Sequence, residues 1–141
     1  MAAESVQIEG YLYGLFTGDS TLQPLVGSHV FAYLGGIGDS LPAILMESQG
    51  GVHDTSALDG TRVWTPYLYS IKAVGRGGDM TGLQPIADRI DALLNGQIHA
   101  LSGVQLRFRR EQPLSLLGVP FGAVYYSYLG GVYRVACSPI T

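Results

Sequence analysis

The segment that most constrains the fold runs from Val63 to Val74. Trp64, Pro66, Leu68, Ser70 and Lys72 alternate there with Val63, Thr65, Tyr67, Tyr69, Ile71 and Ala73, which is the period of an extended strand. Apolar residues fall on both sides of the alternation, so the strand is expected to be covered on both faces, by helices or by a partner sheet. A chain built around such a strand needs enough apolar surface elsewhere to supply the covering layers.

Two helices are predicted to do so. With Ser5 as its cap, the first carries Ile8, Tyr11, Leu12, Leu15 and Phe16 at helical spacing and ends at Thr17-Gly18-Asp19. Gly10 and Gly14 each weaken it by roughly 1 kcal/mol relative to Ala, so it depends on packing. The second opens on the capping-box sequence Thr81-Gly82-Leu83-Gln84, buries Leu83, Ile86, Ala87, Ile90, Leu93 and Leu94, and stops at Gly96. A similar box, Ser20-Thr21-Leu22-Gln23, predicts a short helical turn closed by Gly27.

Further strands are expected at Val30-Phe31-Ala32-Tyr33, at Ala43-Ile44-Leu45-Met46 after Pro42, and from Val104 to Arg109, where Val104, Leu106 and Phe108 face inward. Ala123 to Leu129 and Val132 to Cys137 flank Gly130-Gly131, a pair that predicts a hairpin turn with Tyr128 opposite Tyr133. Residues 49 to 61 lack an apolar period and read as a long loop or hairpin tip. The order gives an α+β fold over 1–141, a mostly antiparallel sheet packed by an N-terminal helix and a central helix in a single domain.

Composition narrows function more than it identifies it. Of the 141 residues, 47% are hydrophobic and only 13% charged, against roughly 25% charged in an ordinary soluble domain, which suits a large core or a surface covered in an oligomer. Residues 1 to 60 contain Glu4, Glu9, Asp19, Asp39, Glu47, Asp54 and Asp59 and no Lys or Arg, whereas every one of the eight basic residues lies beyond. The two halves can therefore either supply opposite sides of a head-to-tail interface or neutralise each other within the fold. Met1-Ala2-Ala3-Glu4 has no basic residue ahead of an apolar run, and no stretch is long enough to cross a bilayer, so neither export nor membrane insertion is expected.

No catalytic constellation emerges. His29, His53 and His99 lack the short spacing of metal ligands, and the pair His53-Asp54 reads as solvated loop. There is no Gly-x-Ser-x-Gly elbow, and the lone Cys137 falls in a strand as a small apolar residue. Gly75-Arg76-Gly77-Gly78-Asp79 lacks the Lys-Ser/Thr of a phosphate loop and reads as a strand-to-helix turn. No catalytic, cofactor or metal residue is assigned. The densest basic cluster is Arg107, Arg109 and Arg110 beside Glu111, read as a solvated face or an intersubunit ion-pair site.

The run Leu15-Phe16-Thr17-Gly18-Asp19-Ser20, then Leu22, Leu25-Val26-Gly27, Val30-Phe31 and Leu41-Pro42, resembles the start of the tail-completion or tail-terminator family of tailed bacteriophages, which includes lambda-type and SPP1-type tail-to-head joining proteins. The strand from Val63 to Gly75, the helix from Leu83 to Leu94 and the closing Tyr128-Leu129-Gly130-Gly131-Val132-Tyr133-Arg134-Val135 follow in the same order. The resemblance implies a structural virion protein without enzymatic activity. It is expected to assemble in the host cytoplasm as a homo-oligomeric ring, a hexamer, to cap the tail tube, to stop its polymerisation and to meet a neck or head-completion protein. Genome DNA would pass through the lumen without sequence-specific binding, and no membrane is involved. Candidate contacts are Arg107, Arg109, Arg110 and Glu111 between subunits and His53, Asp54 and Asp59 toward a neighbouring protein. The alternatives are a neck protein at the adjacent position and a small α+β enzyme or ligand-binding domain with a pocket beside Trp64, Tyr67 and Tyr69.

Overall fold

The computed structural model describes residues 4–32, 37, 41–49, 55–60, 62–78, 80–101 and 103–139. Its elements are helix α1 (Glu4–Thr17), helix α2 (Gln23–Val26), strands β1 (Val30–Phe31), β2 (Ala43–Ser48), β3 (Thr55–Ser56) and β4 (Arg62–Arg76), a 3-10 turn (Thr81–Leu83), helix α3 (Gln84–Leu94), and strands β5 (Ile98–Leu101), β6 (Val104–Phe121) and β7 (Val124–Pro139). The strands form one sheet in the order β1-β2-β4-β7-β6-β5, with β3 also paired to β4. Among the described residues only the β1–β2 pair is parallel; the others are antiparallel. The fold is therefore α+β, with a mostly antiparallel sheet.

Alternation divides the sheet into two faces. One, the helix face, takes Ile44, Met46, Tyr69, Ile71, Ala73, Val104, Leu106, Phe108, Tyr133, Val135 and Cys137 into a single core with Ile8, Leu12 and Phe16 of α1 and Ile86, Ile90 and Leu94 of α3. Both predicted helical stripes are thus the buried ones. His99 on β5 joins this layer: its Nε2 donates to the Leu93 carbonyl, its Nδ1 accepts from the Tyr11 hydroxyl, and its ring meets Phe108 edge-on at 5.5 Å.

The helix caps differ from the expected ones. Ser5 lies inside α1 rather than ahead of it. Both short-range boxes fail: Leu22 and Leu83 occupy the N-cap positions without side-chain caps, and Pro24 and Pro85 fill the first turns. Proline is favourable there because its missing N–H needs no partner. For α2 the carboxylate of Asp19 accepts the Leu22 N–H at 3.1 Å in place of the expected Ser20.

The largest correction concerns Gly130-Gly131. They do not turn; β7 runs straight through them, with Gly130 opposite Lys72 and Leu114 and Gly131 opposite Ile71 and Pro113. A Cβ on Gly130 would lie 2.3 Å from the Ile71 carbonyl oxygen and 2.5 Å from Lys72 Cα, so the glycine is required by close approach of strands. The actual hairpin turn is Gly122-Ala123 between the paired Phe121 and Val124, with Gly122 at φ 65°, the two-residue loop that places glycine first. Tyr128 therefore pairs with Val74 and Leu116, not with Tyr133.

Three prolines at strand positions are explained by where their nitrogens point. Leu68 directs its carbonyl to Gln49 N–H at 2.7 Å, so Pro66, two residues earlier, faces the same flank of β4. Among the described residues that flank has no ladder there, because β3 pairs up to Trp64 and β2 pairs from Tyr69 onward. On β6, Phe108 and Arg110 send their N–H groups outward, to Gln97 O and Asn95 Oδ1. Register shifts between Arg110 and Gln112 and between Leu116 and Val119 each reverse the parity, which turns Pro113 and then Pro120 to the outer edge. Among the described residues no strand pairs with that edge beyond Arg107, and prolines there oppose further strand addition.

Candidate functional site

Among the described residues, the face of the sheet away from the helices is covered at one end only. There Ala43, Leu45, Val74, Tyr126 and Tyr128 bury themselves against Ile37, with Phe31, Leu41, Val119 and Val124 around them. The alternation of Val63 to Val74 predicts cover on both faces of the long strand. The second cover is this small cluster, and it stops short of Trp64 and Leu68, which remain partly exposed.

Lys72 marks the boundary. Its side chain is 6% exposed, it donates to Glu47 Oε1 at 2.5 Å and Ser70 Oγ at 2.6 Å, and its ammonium lies 5.2 Å from the centre of the Tyr128 ring. A buried ammonium is tolerable only when its donors are engaged in this way.

Beyond Lys72 the face is open and cationic. Trp64 of β4, Arg134, Ala136 and Ser138 of β7, and Arg107 and Arg109 of β6 line an open groove of about 480 Å³. The ladder explains the grouping. Pro66, Ala136 and Arg107 form one row across the three strands, and Leu68, Arg134 and Arg109 form the next. Arg109 and Arg134 are thus direct cross-strand neighbours, a like-charge pair that costs stability unless offset. The register shift after Arg110 inserts Glu111 beside them, and its carboxylate accepts from Arg134 Nε. Arg107 and Arg109 are exposed and have no hydrogen-bond or ion-pair partner among the described residues.

The expected basic cluster is therefore split. Arg110 points to the helix face, 3.7 Å from Asp91 of α3, which also accepts the Tyr133 hydroxyl at 2.9 Å. Burial, reinforced by Asp91, holds the Tyr133 phenol far above its ordinary range, and burial does the same for Tyr69. Glu111 stays with the open face as the partner of Arg134, and Asp59 is exposed near the β3–β4 connection. His53 and Asp54 lie outside the described residues.

The pocket imagined beside Trp64, Tyr67 and Tyr69 is not assembled. Tyr67 and Tyr69 pack into the helix-face core, whereas Trp64 lies on the open face, as odd and even positions of one strand must. What the sequence does not signal is Arg134 and the groove it shares with Trp64, 70 positions earlier in the chain. The only local signal was the alternation Tyr133-Arg134-Val135, which reads correctly once β7 is one strand.

Charge asymmetry between the halves is partly cancelled within the chain. Asp19 is held bidentately by Arg89, at 2.7 Å from Nη2 and 3.0 Å from Nε, and Glu47 is held by Lys72. Hydrogen bonding to Arg89 lowers the Asp19 carboxyl pKa against the opposing effect of burial, and the Leu22 N–H helps. Among the described residues no group of three or more His, Cys, Asp or Glu could hold a metal ion, and no helix is long and apolar enough to cross a membrane. Cys137 is buried in the helix-face core at 1% exposure. No protein-family model matches the chain, and no curated protein is significantly similar to it.

Proposed function

We propose that the chain is a structural subunit of a bacteriophage virion: a ring-forming tail terminator that caps the head-proximal end of the tail tube, stops its polymerisation and offers a surface to the neck. The reading rests on the ordered resemblance of its motifs and on one structural observation. The open face holds a partly exposed tryptophan among three arginines, the residue types that dominate binding energy in protein interfaces. In this reading the protein acts by binding rather than by catalysis. Its partners are further copies in a hexameric ring, the tube protein and a neck or head-completion protein. The Trp64 face is assigned to the neighbouring virion protein rather than to the ring contact. DNA crosses the lumen without sequence-specific recognition.

Electron microscopy of the purified protein, alone and with tail-tube protein, tests the proposal. Rings, and tubes capped at one end that no longer elongate, are expected. Monomers at high concentration together with tubes that fail to recruit the protein would overturn it, and recruitment by neck protein but not by tube would move the assignment to the adjacent neck position.

A further inference from the structure

We infer that the groove at Trp64 is a docking site for an acidic, extended segment of another protein, with an apolar side chain set between its carboxylates. The inference rests on the proposed role only in taking the occupant to be a neighbouring virion protein. The chemistry is read from the groove itself.

Arg107 and Arg109 sit two positions apart on one strand, so their side chains leave the same face from backbone positions about 6.6 Å apart. Both are exposed and unpaired among the described residues. Arginine forks of this kind match carboxylates bidentately. Between them and β4 the floor is apolar, formed by Trp64 and Ala136, with Pro66 buried in the same row. A ligand of charge alone would have no use for that floor, and an apolar ligand would have no use for the arginines.

Two observations select an acidic polypeptide of another protein. Glu111, already seated on Arg134, shows that a side-chain carboxylate fits the site. Finally, no described segment of this chain presents two unpaired carboxylates together. Asp19 and Glu47 are consumed internally, Asp91 is shared by Tyr133 and Arg110, Asp88 takes weak hydrogen bonds from Gln84, and Asp59 has a partner of its own. The outer edge of β6 is a poorer site for an extended partner, because Pro113 and Pro120 face it.

Trp64 is the only tryptophan of the chain, so its emission reports on this groove alone. The full-length protein is titrated with the capped peptide Glu-Glu-Leu-Glu-Glu, with its Gln-Gln-Leu-Gln-Gln counterpart, and with oligothymidylate. The expected result is a saturable change of emission with the Glu peptide that weakens as salt is raised, no saturation with the Gln peptide, and at least tenfold weaker binding to Arg107→Gln/Arg109→Gln. An emission unmoved by millimolar Glu peptide, an equal response to the Gln peptide, or tighter binding of oligothymidylate would overturn the assignment. The two peptides on the unaltered chain decide the matter whether or not the variant folds. Rings and capped tubes could form while the peptide fails to bind, and the peptide could bind while no ring forms, so this result and the electron microscopy stand apart.

Discussion

The two faces of the sheet are made by the same strands and differ in almost every physical respect. On the helix face, β4, β6 and β7 contribute Tyr69, Ile71, Phe108, Tyr133 and Val135, each at most 1% exposed and covered by two helices. One residue along, the same strands contribute Trp64, Arg107, Arg109 and Arg134 to a groove with no cover among the described residues. Buried apolar surface is concentrated on one side and exposed charge on the other. The separation is possible because a period of two lets neighbouring residues answer to different environments. Lys72, Gly130 and the register shift at Glu111 are the places where the two sides touch.

Truncation should expose the difference most sharply on the helix side. Phe108→Ala is expected to cost about 4 kcal/mol, through lost burial and a cavity that α1 and α3 cannot collapse onto, measured by denaturant unfolding. A cost under 1 kcal/mol would mean that the helix layer is loosely packed. Gly130→Ala comes next, at about 3 kcal/mol, because its Cβ meets backbone atoms of β4 that cannot move aside independently. A neutral result would reinstate a turn at Gly130-Gly131.

The boundary between the faces can be tested by asymmetry. Glu47→Ala strands a nearly buried ammonium and should cost roughly 2 kcal/mol, whereas Lys72→Met leaves a carboxylate that is 39% exposed and should cost less than about 1 kcal/mol. Equal costs would show that Lys72 reaches water. Asp19→Asn should cost about 1 kcal/mol at neutral pH, an amount kept small by the part-exposed Arg89. The folded-state pKa of Asp19 is lowered, so its contribution is full above the unfolded carboxyl value of about 3.9 and is lost as pH falls through the lower folded value. Thermal unfolding from neutral to acid pH should therefore show the gap between wild type and Asp19→Asn closing only below about pH 4. The smallest effect belongs to the open face: Arg107→Gln should change stability by no more than about 0.5 kcal/mol while weakening binding of the Glu peptide. A larger loss of stability would give Arg107 a structural role.

Much of the helix face was legible in the sequence. The stripes Ile8-Leu12-Phe16 and Leu83-Ile86-Ile90-Leu94, and the alternation Val104-Leu106-Phe108, are local periodicities, and burial follows them. The continuation of β6 from Arg110 to Phe121 was not legible, because Pro113, Gly118 and Pro120 interrupt any strand signature. Its pairing with β7 supplies what propensity does not. β5 was missed as well: Ile98-His99-Ala100-Leu101 is too short for its alternation to stand out, and it is fixed by β6 and by the Tyr11–His99 contact.

Gly130-Gly131 and Gly122-Ala123 show where sequence alone runs out. A glycine is demanded both by positive φ and by close backbone approach, and the letter does not say which. By itself the sequence determined the fold class, the helical stripes and the inward side of Val104-Leu106-Phe108, because these depend on contacts within one turn or one pleat. Only the tertiary structure decided that β7 is continuous, that Arg110 parts from Arg107 and Arg109, and that Trp64 and Arg134 line one groove. Each of these depends on strand register, which is set by pairing between residues far apart in the chain, and one extra residue in a strand is enough to move a side chain from one face to the other.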